Sequence, residues 1–183
     1  GDVYKRQAPS PGRGRPLLAM SARAFTHEEV LRALPEAALA LVEALIAAAR
    51  VERVRLLLVG GPVRDLLLDR AVRDVDFVVE AADGSSAEAA ARVARRAAPA
   101  DARIVEHGRF GTLRIETAEA AVDLAAARRE TYARPGALPD VEPGTLEEDM
   151  LRRDFSVNAL AIPLEAGGGE AKREVIDLVG GLE

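Results

Sequence analysis

Residues 56 to 80 read LLLVGGPVRDLLLDRAVRDVDFVVE. The leucine-rich run that closes at Val59 and the run DFVVE (76–80) are short, apolar and bounded by glycine or charge, the pattern of strands buried in a sheet. Between them, PVRDLLLDR has room for two helical turns. Pro62 suits the first of these, because the N–H it lacks would have no helical partner there. A strand, a glycine turn, a short helix and a second strand predict a sheet with helices packed on it.

Working outward, Leu31, Leu34, Ala38, Leu41, Leu45 and Ala48 recur at spacings of three and four. That spacing predicts one helix over 27–50, with Thr26 as its N-cap. SAEAAARVARRAA (86–98) predicts a second covering helix, starting at Ser85 or Ser86. ARIVEH, GTLRIE and AVDLAA predict three short strands separated by glycine or acidic turns. RETYARPGALPDVEPGT (129–145) is rich in Pro and Gly, has no periodicity and predicts a long mobile loop. TLEEDMLRRDFSVNALAIPL (145–164) predicts a return to helix, with Thr145 and Glu148 at capping-box spacing. VIDLVGGLE (175–183) predicts a last strand running into a turn. The expected fold class is α/β, or α+β: a small mixed sheet with helices packed on it, in one domain over residues 25–183. Residues 1–24 are expected to be a disordered or non-native leader.

A chain of 183 residues can bury roughly 70% of its unfolded surface, so a real core is possible without staples. With 3% aromatic residues the core must be mostly aliphatic, and the absence of cysteine excludes disulfides and thiolate metal sites. Any metal would have to be held by oxygen or histidine. The net charge of -5 is not that of a polybasic nucleic-acid binder, although local basic patches remain possible. No segment approaches the roughly 18 apolar residues of a membrane span, since LALVEALIAAAR is broken by Glu43. The opening residues GDVYKRQAPSPGRGRP lack the apolar core of a signal peptide.

Asp74 and Asp76 are spaced to point to the same face of a strand, where two carboxylates repel unless a cation sits between them. Magnesium is the natural mediator, since it takes hard oxygen ligands and commonly combines one or two carboxylates with substrate phosphates. A bare D-x-D is weak, because a solvated pair at a strand start has the same spacing. Gly60 and Gly61 stand where a strand hands over to a helix, and without Cβ atoms their backbone N–H groups can approach a phosphate closely. Arg64 could reach the same anion. The stretch is neither a dinucleotide fingerprint nor a P-loop. A third carboxylate would complete a metal site: Asp123 is one candidate and Glu116 the competing one. Arg152, Arg153, Asp154 and Asn158 form a polar cluster in the expected late helix, among Leu146, Met150, Val157 and Leu160. At least one of these arginines is placed to point inward at an anion.

Four ordered motifs, LVGGPVRDLLL, RDVDFVV, HGRFGTLRI with VDLAAARRETY, and LRRDFSVNALAI, carry a family resemblance over roughly residues 54–183. The chain resembles the catalytic head domain of class II tRNA nucleotidyltransferases, the CCA-adding enzymes, in the superfamily that includes bacterial poly(A) polymerases. The resemblance implies that Asp74 and Asp76 hold catalytic Mg2+ and that Asp123 supplies the superfamily's third carboxylate. It implies that Gly60, Gly61 and Arg64 receive the triphosphate of ATP or CTP, that Arg153 also contacts the nucleotide, and that the loop at 131–144 serves the switch from C to A addition. Asp154 and Asn158 are expected to scaffold the helix against the loop.

By the same resemblance the activity is addition of C and A to an RNA 3′ end, that of tRNA, with pyrophosphate released. The setting is cytoplasmic, with no membrane and no obligate protein partner. Pro62 replaces an alanine more usual after the glycines, a change a helix start accepts. Relatives continue past the GGLE turn into helical regions that select the base and grip tRNA. A chain ending at Glu183 is therefore expected to select nucleotides poorly and to bind tRNA weakly. A poly(A) polymerase, a CC- or A-adding specialist and a non-catalytic nucleotide-binding module are the alternatives.

Overall fold

The computed structural model describes residues 23–107, 111–131, 133–134, 138–165 and 170–182. Eleven strands are described: β1 (Ala24–Phe25), β2 (Arg55–Val59), β3 (Asp76–Glu80), β4 (Arg103–His107), β5 (Thr112–Glu116), β6 (Ala121–Ala126), β7 (Arg128–Thr131), β8 (Asp140–Pro143), β9 (Leu160–Leu164), β10 (Arg173–Glu174) and β11 (Ile176–Asp177). The helices are α1 (His27–Ala33), α2 (Leu39–Glu52), α3 (Gly61–Leu67), α4 (Ser86–Ala97) and α5 (Leu146–Leu151). Seven strands form one mixed sheet in the order β11-β9-β2-β3-β6-β5-β4, in which β3 and β6 run parallel and the other neighbours antiparallel. This is the α/β class expected from the sequence. Among the described residues, no helix is long and apolar enough to cross a membrane.

Strand periodicity sorts the side chains between two cores. Leu56, Leu58, Phe77, Val79, Val122 and Leu124 join Val42, Leu45 and Ile46 of α2 and Ala90, Val93 and Ala94 of α4 in the larger one. The alternate residues Leu57, Val59, Val78 and Ala161 face the other way and pack with Leu146 and Met150 of α5. Each fully buried leucine or phenylalanine contributes about 1.5–3 kcal/mol. Because Phe77 and Leu124 belong to the larger core, Asp76 and Asp123, one position earlier on each strand, fall on the α5 face.

Three expectations from the sequence are corrected. The single helix over 27–50 is two helices, because Pro35 forces Leu34 out of the helical region, to φ -78 and ψ 156, before a 3-10 turn at Glu36–Ala38 leads into α2. Thr26 does cap α1 and forms a full capping box with Glu29. The late helix over 145–164 is only α5, started by the expected Thr145 and Glu148 capping box. Residues 156–158 are a 3-10 turn and ALAIPL supplies β9, whose unbroken apolar run suits a strand buried between neighbours. Pro163 is tolerated there because the ladder with β11 involves only Leu160 and Ala161.

The third correction concerns the loop expected over 129–145, whose ends are the paired strands β7 and β8, with Arg129 opposite Glu142 and bonded to it at 2.6 Å. Residues 132 and 135–137 of that loop lie outside the described residues. So do residues 1–22 of the expected leader. Ala24 pairs with Glu174 in a two-stranded ribbon of β1 and β10.

Candidate active site

The sheet brings the ends of three strands to one edge. In the β2–β3 register Leu58 faces Phe77, so β2 leaves the sheet beside the point where β3 enters with Asp76. The parallel neighbour β6 sets Asp123 directly beside Asp76, and the Asp123 N–H donates to the Val75 carbonyl at 2.9 Å. Asp74 is exposed, two residues ahead of Asp76 and just before the strand. Asp74 lies ahead of β3 rather than on it, which corrects the expected same-face pairing along a strand, and the two strand carboxylates Asp76 and Asp123 share one corner with Asp74 nearby.

The crowding shows in the chemistry of Asp76. Burial, then the charges of Asp123 and Asp74, raise its pKa from the ordinary 3.8 to about 6, against the opposing pull of Arg153 and Arg114. Asp123 is compensated: Arg114 Nη1 donates to its Oδ2 at 2.8 Å. Arg114 also pairs with Glu116 at 3.2 Å, so the competing third carboxylate lies one step further along β5 and shares the same guanidinium. Among the described residues, no three acidic or histidine side chains stand close enough to hold a metal as they lie. The donor set nonetheless suits a hard divalent cation, being all oxygen and short of positive charge at Asp76.

Beside the carboxylates lies a basic corner. Gly60 adopts φ 74 and ψ -130, a region open essentially to glycine, and donates its N–H to the Leu160 carbonyl at 3.0 Å as β2 gives way to α3. A Cβ on Gly60 would lie 3.3 Å from Arg153 Nη1, so the bare backbone makes room for that guanidinium. Arg64 bonds Asp65 through Nε at 2.8 Å and the Asn158 side-chain oxygen through Nη1 at 3.1 Å. Arg153 donates Nη2 to Asp149 at 2.9 Å and Nη1 to the Asn158 carbonyl at 3.3 Å. Glu130, Arg152, Arg153, Asp154, Phe155 and Asn158 line a cleft of about 390 Å³.

Asp76, Asp123, Gly60, Gly61, Arg64, Arg152, Arg153 and Asn158 are tied into this edge by a register position, a bond or a close approach, and Asp74 acts on it through its charge beside Asp76. Asn158 belongs to it through a 3-10 turn rather than through the late helix expected to carry it. Asp154 lines the cleft but is exposed. Sequence reasoning missed Asp149, which is fully buried, and Glu130, which accepts from Arg152 Nη1 at 3.1 Å. Asp149 stands three and four residues before Arg152 and Arg153, an ion-pair spacing that could have exposed it. The inward-facing arginines do meet an anion, and it is Asp149.

A family model described as the poly A polymerase head domain matches residues 56–183. An A-adding tRNA nucleotidyltransferase of Aquifex aeolicus is 45% identical over 128 residues, covering 70% of this chain and 14% of the relative. A CC-adding tRNA nucleotidyltransferase of Deinococcus radiodurans is 43% identical over 129 residues, covering 69% of this chain and 32% of the relative. Among solved structures, an apo CCA-adding enzyme superposes with a TM-score of 0.68 at 34% identity, covering 86% of this chain and 36% of that one. The chain thus spans about a third or less of the length of these proteins.

Proposed function

The chain belongs to the poly(A) polymerase head-domain family, and from that premise we propose that it is the catalytic head of a template-independent RNA nucleotidyltransferase. The substrates in this proposal are ATP and CTP and the 3′ end of tRNA, the product is a CCA terminus and the setting is the cytoplasm. The observation that carries it is the meeting, at one sheet edge, of the acidic corner at Asp76 and Asp123 with the Gly60 turn and the Arg153 guanidinium. A reaction that joins an RNA hydroxyl to a triphosphate needs these two kinds of charge side by side.

Asp74 and Asp76, with Asp123, would hold Mg2+, which when bound supplies Lewis-acid polarisation of the α-phosphate and a lowered pKa for the RNA 3′-hydroxyl. Arg64 and Arg153 hold the triphosphate, with five donors each in a planar fork suited to phosphate oxygens. The absent side chains of Gly60 and Gly61 leave room for the two guanidiniums, since a Cβ would lie 3.3 Å from Arg153 Nη1 at the first and 3.6 Å from Arg64 Nη2 at the second, and the Gly60 N–H is already given to Leu160. In the reaction the 3′-oxygen bonds to the α-phosphorus, the bond from that phosphorus to the bridging oxygen breaks, and pyrophosphate leaves. The guanidiniums stay in place while negative charge builds on the leaving oxygens, so they stabilise it without reorganising.

The test is incorporation of labelled CTP and ATP into tRNA lacking its CCA end by the protein that carries this chain. Asp76→Ala should abolish incorporation while circular dichroism stays unchanged. Incorporation at the wild-type level by that variant would refute the proposal. A second reading has support from the A-adding and CC-adding relatives, which makes a specialist for one part of the terminus the neighbouring possibility. Product length with each nucleotide alone and with both together separates the two.

A further inference from the structure

Among the described residues Asp149 is the only charged side chain that is fully buried. Its two oxygens are divided between two arginines that follow the end of α5. Oδ1 accepts from Arg152 Nε at 3.1 Å and Nη2 at 2.6 Å, and Oδ2 accepts from Arg153 Nη2 at 2.9 Å. From this one carboxylate the guanidiniums fan apart. Arg152 reaches Glu130 of β7 at 3.1 Å, while Arg153 reaches the Asn158 carbonyl and the bare backbone at Gly60. Arg153 Nε is buried with no acceptor among the described residues, so internal bonding alone does not optimise this guanidinium. Asp149 fixes where it points.

We propose that Asp149 is a positioning residue: it presets Arg153 beside the Gly60–Gly61 turn, so that an incoming triphosphate meets a guanidinium whose rotamer is already chosen. This rests on the nucleotidyl-transfer function proposed above. A free arginine side chain must give up its rotamers when it grips phosphate, and one already held by a charge-assisted bond gives up far fewer.

The experiment is a double-mutant cycle in the protein that carries this chain, reading KM for ATP and CTP and KM for the tRNA acceptor separately. Asp149→Asn should raise the nucleotide KM about tenfold and leave the tRNA KM unchanged. In an Arg153→Ala background the same change should add nothing, because its effect runs through Arg153. An unchanged nucleotide KM, or an equal factor in both backgrounds, would overturn the proposal, as would a parallel rise in both KM values, which is the mark of a merely structural role. If Asp149→Asn alone does not fold, Asp149→Asn with Arg152→Met removes one charge of each sign and is read against Arg152→Met. A higher nucleotide KM in the pair supports the role and an equal one ends it. Wild-type protein that transfers no nucleotide overturns this proposal together with the function it rests on. Wild-type protein that transfers while Asp149→Asn keeps its KM overturns this one alone.

Discussion

Replacing Asp76 by asparagine should make the metal-free protein more stable at neutral pH and inactive. The carboxyl rises from the ordinary 3.8 to about 6 on folding, because it is half-buried beside Asp123 and Asp74. The folded chain therefore binds a proton at Asp76 more tightly than the unfolded chain does. Stability from this group is fully present below about pH 4, falls as the pH climbs towards 6 and is flat above. At about 1.4 kcal/mol per pKa unit the full effect is about 3 kcal/mol, and residual solvent screening brings it nearer 2 kcal/mol. Asparagine keeps the shape without the charge.

In EDTA at pH 8 the variant should melt about 4–8 °C above wild type, and the gap should close towards pH 4. Added Mg2+ should raise the melting temperature of wild type more than that of the variant. Thermal denaturation followed by circular dichroism at four or five pH values is enough. A difference that does not change with pH, or an Asp76→Asn protein less stable than wild type at pH 8, would show that burial and the neighbouring carboxylates do not raise this group.

Gly60→Ala should cost about 1–3 kcal/mol, since φ 74 with ψ -130 suits no side chain and the new Cβ would press on Arg153 Nη1 at 3.3 Å. Chemical denaturation reads the stability, and the nucleotide KM should rise in parallel. Gly144→Ala should cost about 1–3 kcal/mol or detach the β7–β8 hairpin, because its Cβ would lie 2.6 Å from the backbone of Arg128 and Arg129. Hydrogen exchange at β7 amides should quicken, and unchanged protection there would contradict this. Asp177→Ala removes the acceptor for the N–H groups of Val179, Gly180, Gly181 and Leu182 and should cost about 1–3 kcal/mol by urea titration. The folded-state pKa of Asp177 is lowered: burial raises it, but those four N–H donors outweigh burial. Its contribution is therefore present above about pH 4 and lost as the pH falls further.

Most of the elements were legible in the sequence, because short apolar runs bounded by glycine and charge have one economical solution. The strands at 55–59, 76–80, 103–107, 112–116 and 121–126 stand where those runs predict them. The misread segments are those where local pattern and partner disagree. Leu31 to Ala48 keep helical spacing across Pro35, and only the backbone geometry at Leu34 shows the break. ALAIPL looks like the end of an apolar helix until β2 is seen beside it. β7 (RRET) and β8 (DVEP) carry little apolar pattern, so their pairing rests on cross-strand partners such as Arg129 and Glu142, which no single stretch reveals.

The same division holds at the site. Gly60, Gly61, Asp74 and Asp76 follow one another closely enough for spacing to suggest phosphate and metal chemistry. Asp123 remained one of two candidates until the parallel β3–β6 register set it beside Asp76 and left Glu116 a step away. Asp149 shows only its ion-pair spacing to Arg152 and Arg153, and Glu130 has no local signature. Residue type and short-range spacing are written along the chain, so the strands, caps and candidate chemistry can be read there. Which carboxylate faces which, and which arginine reaches which acid, depends on sheet register and burial, and those arise only when residues distant in the chain, such as Asp76 with Asp123 and Glu130 with Arg152, are packed together.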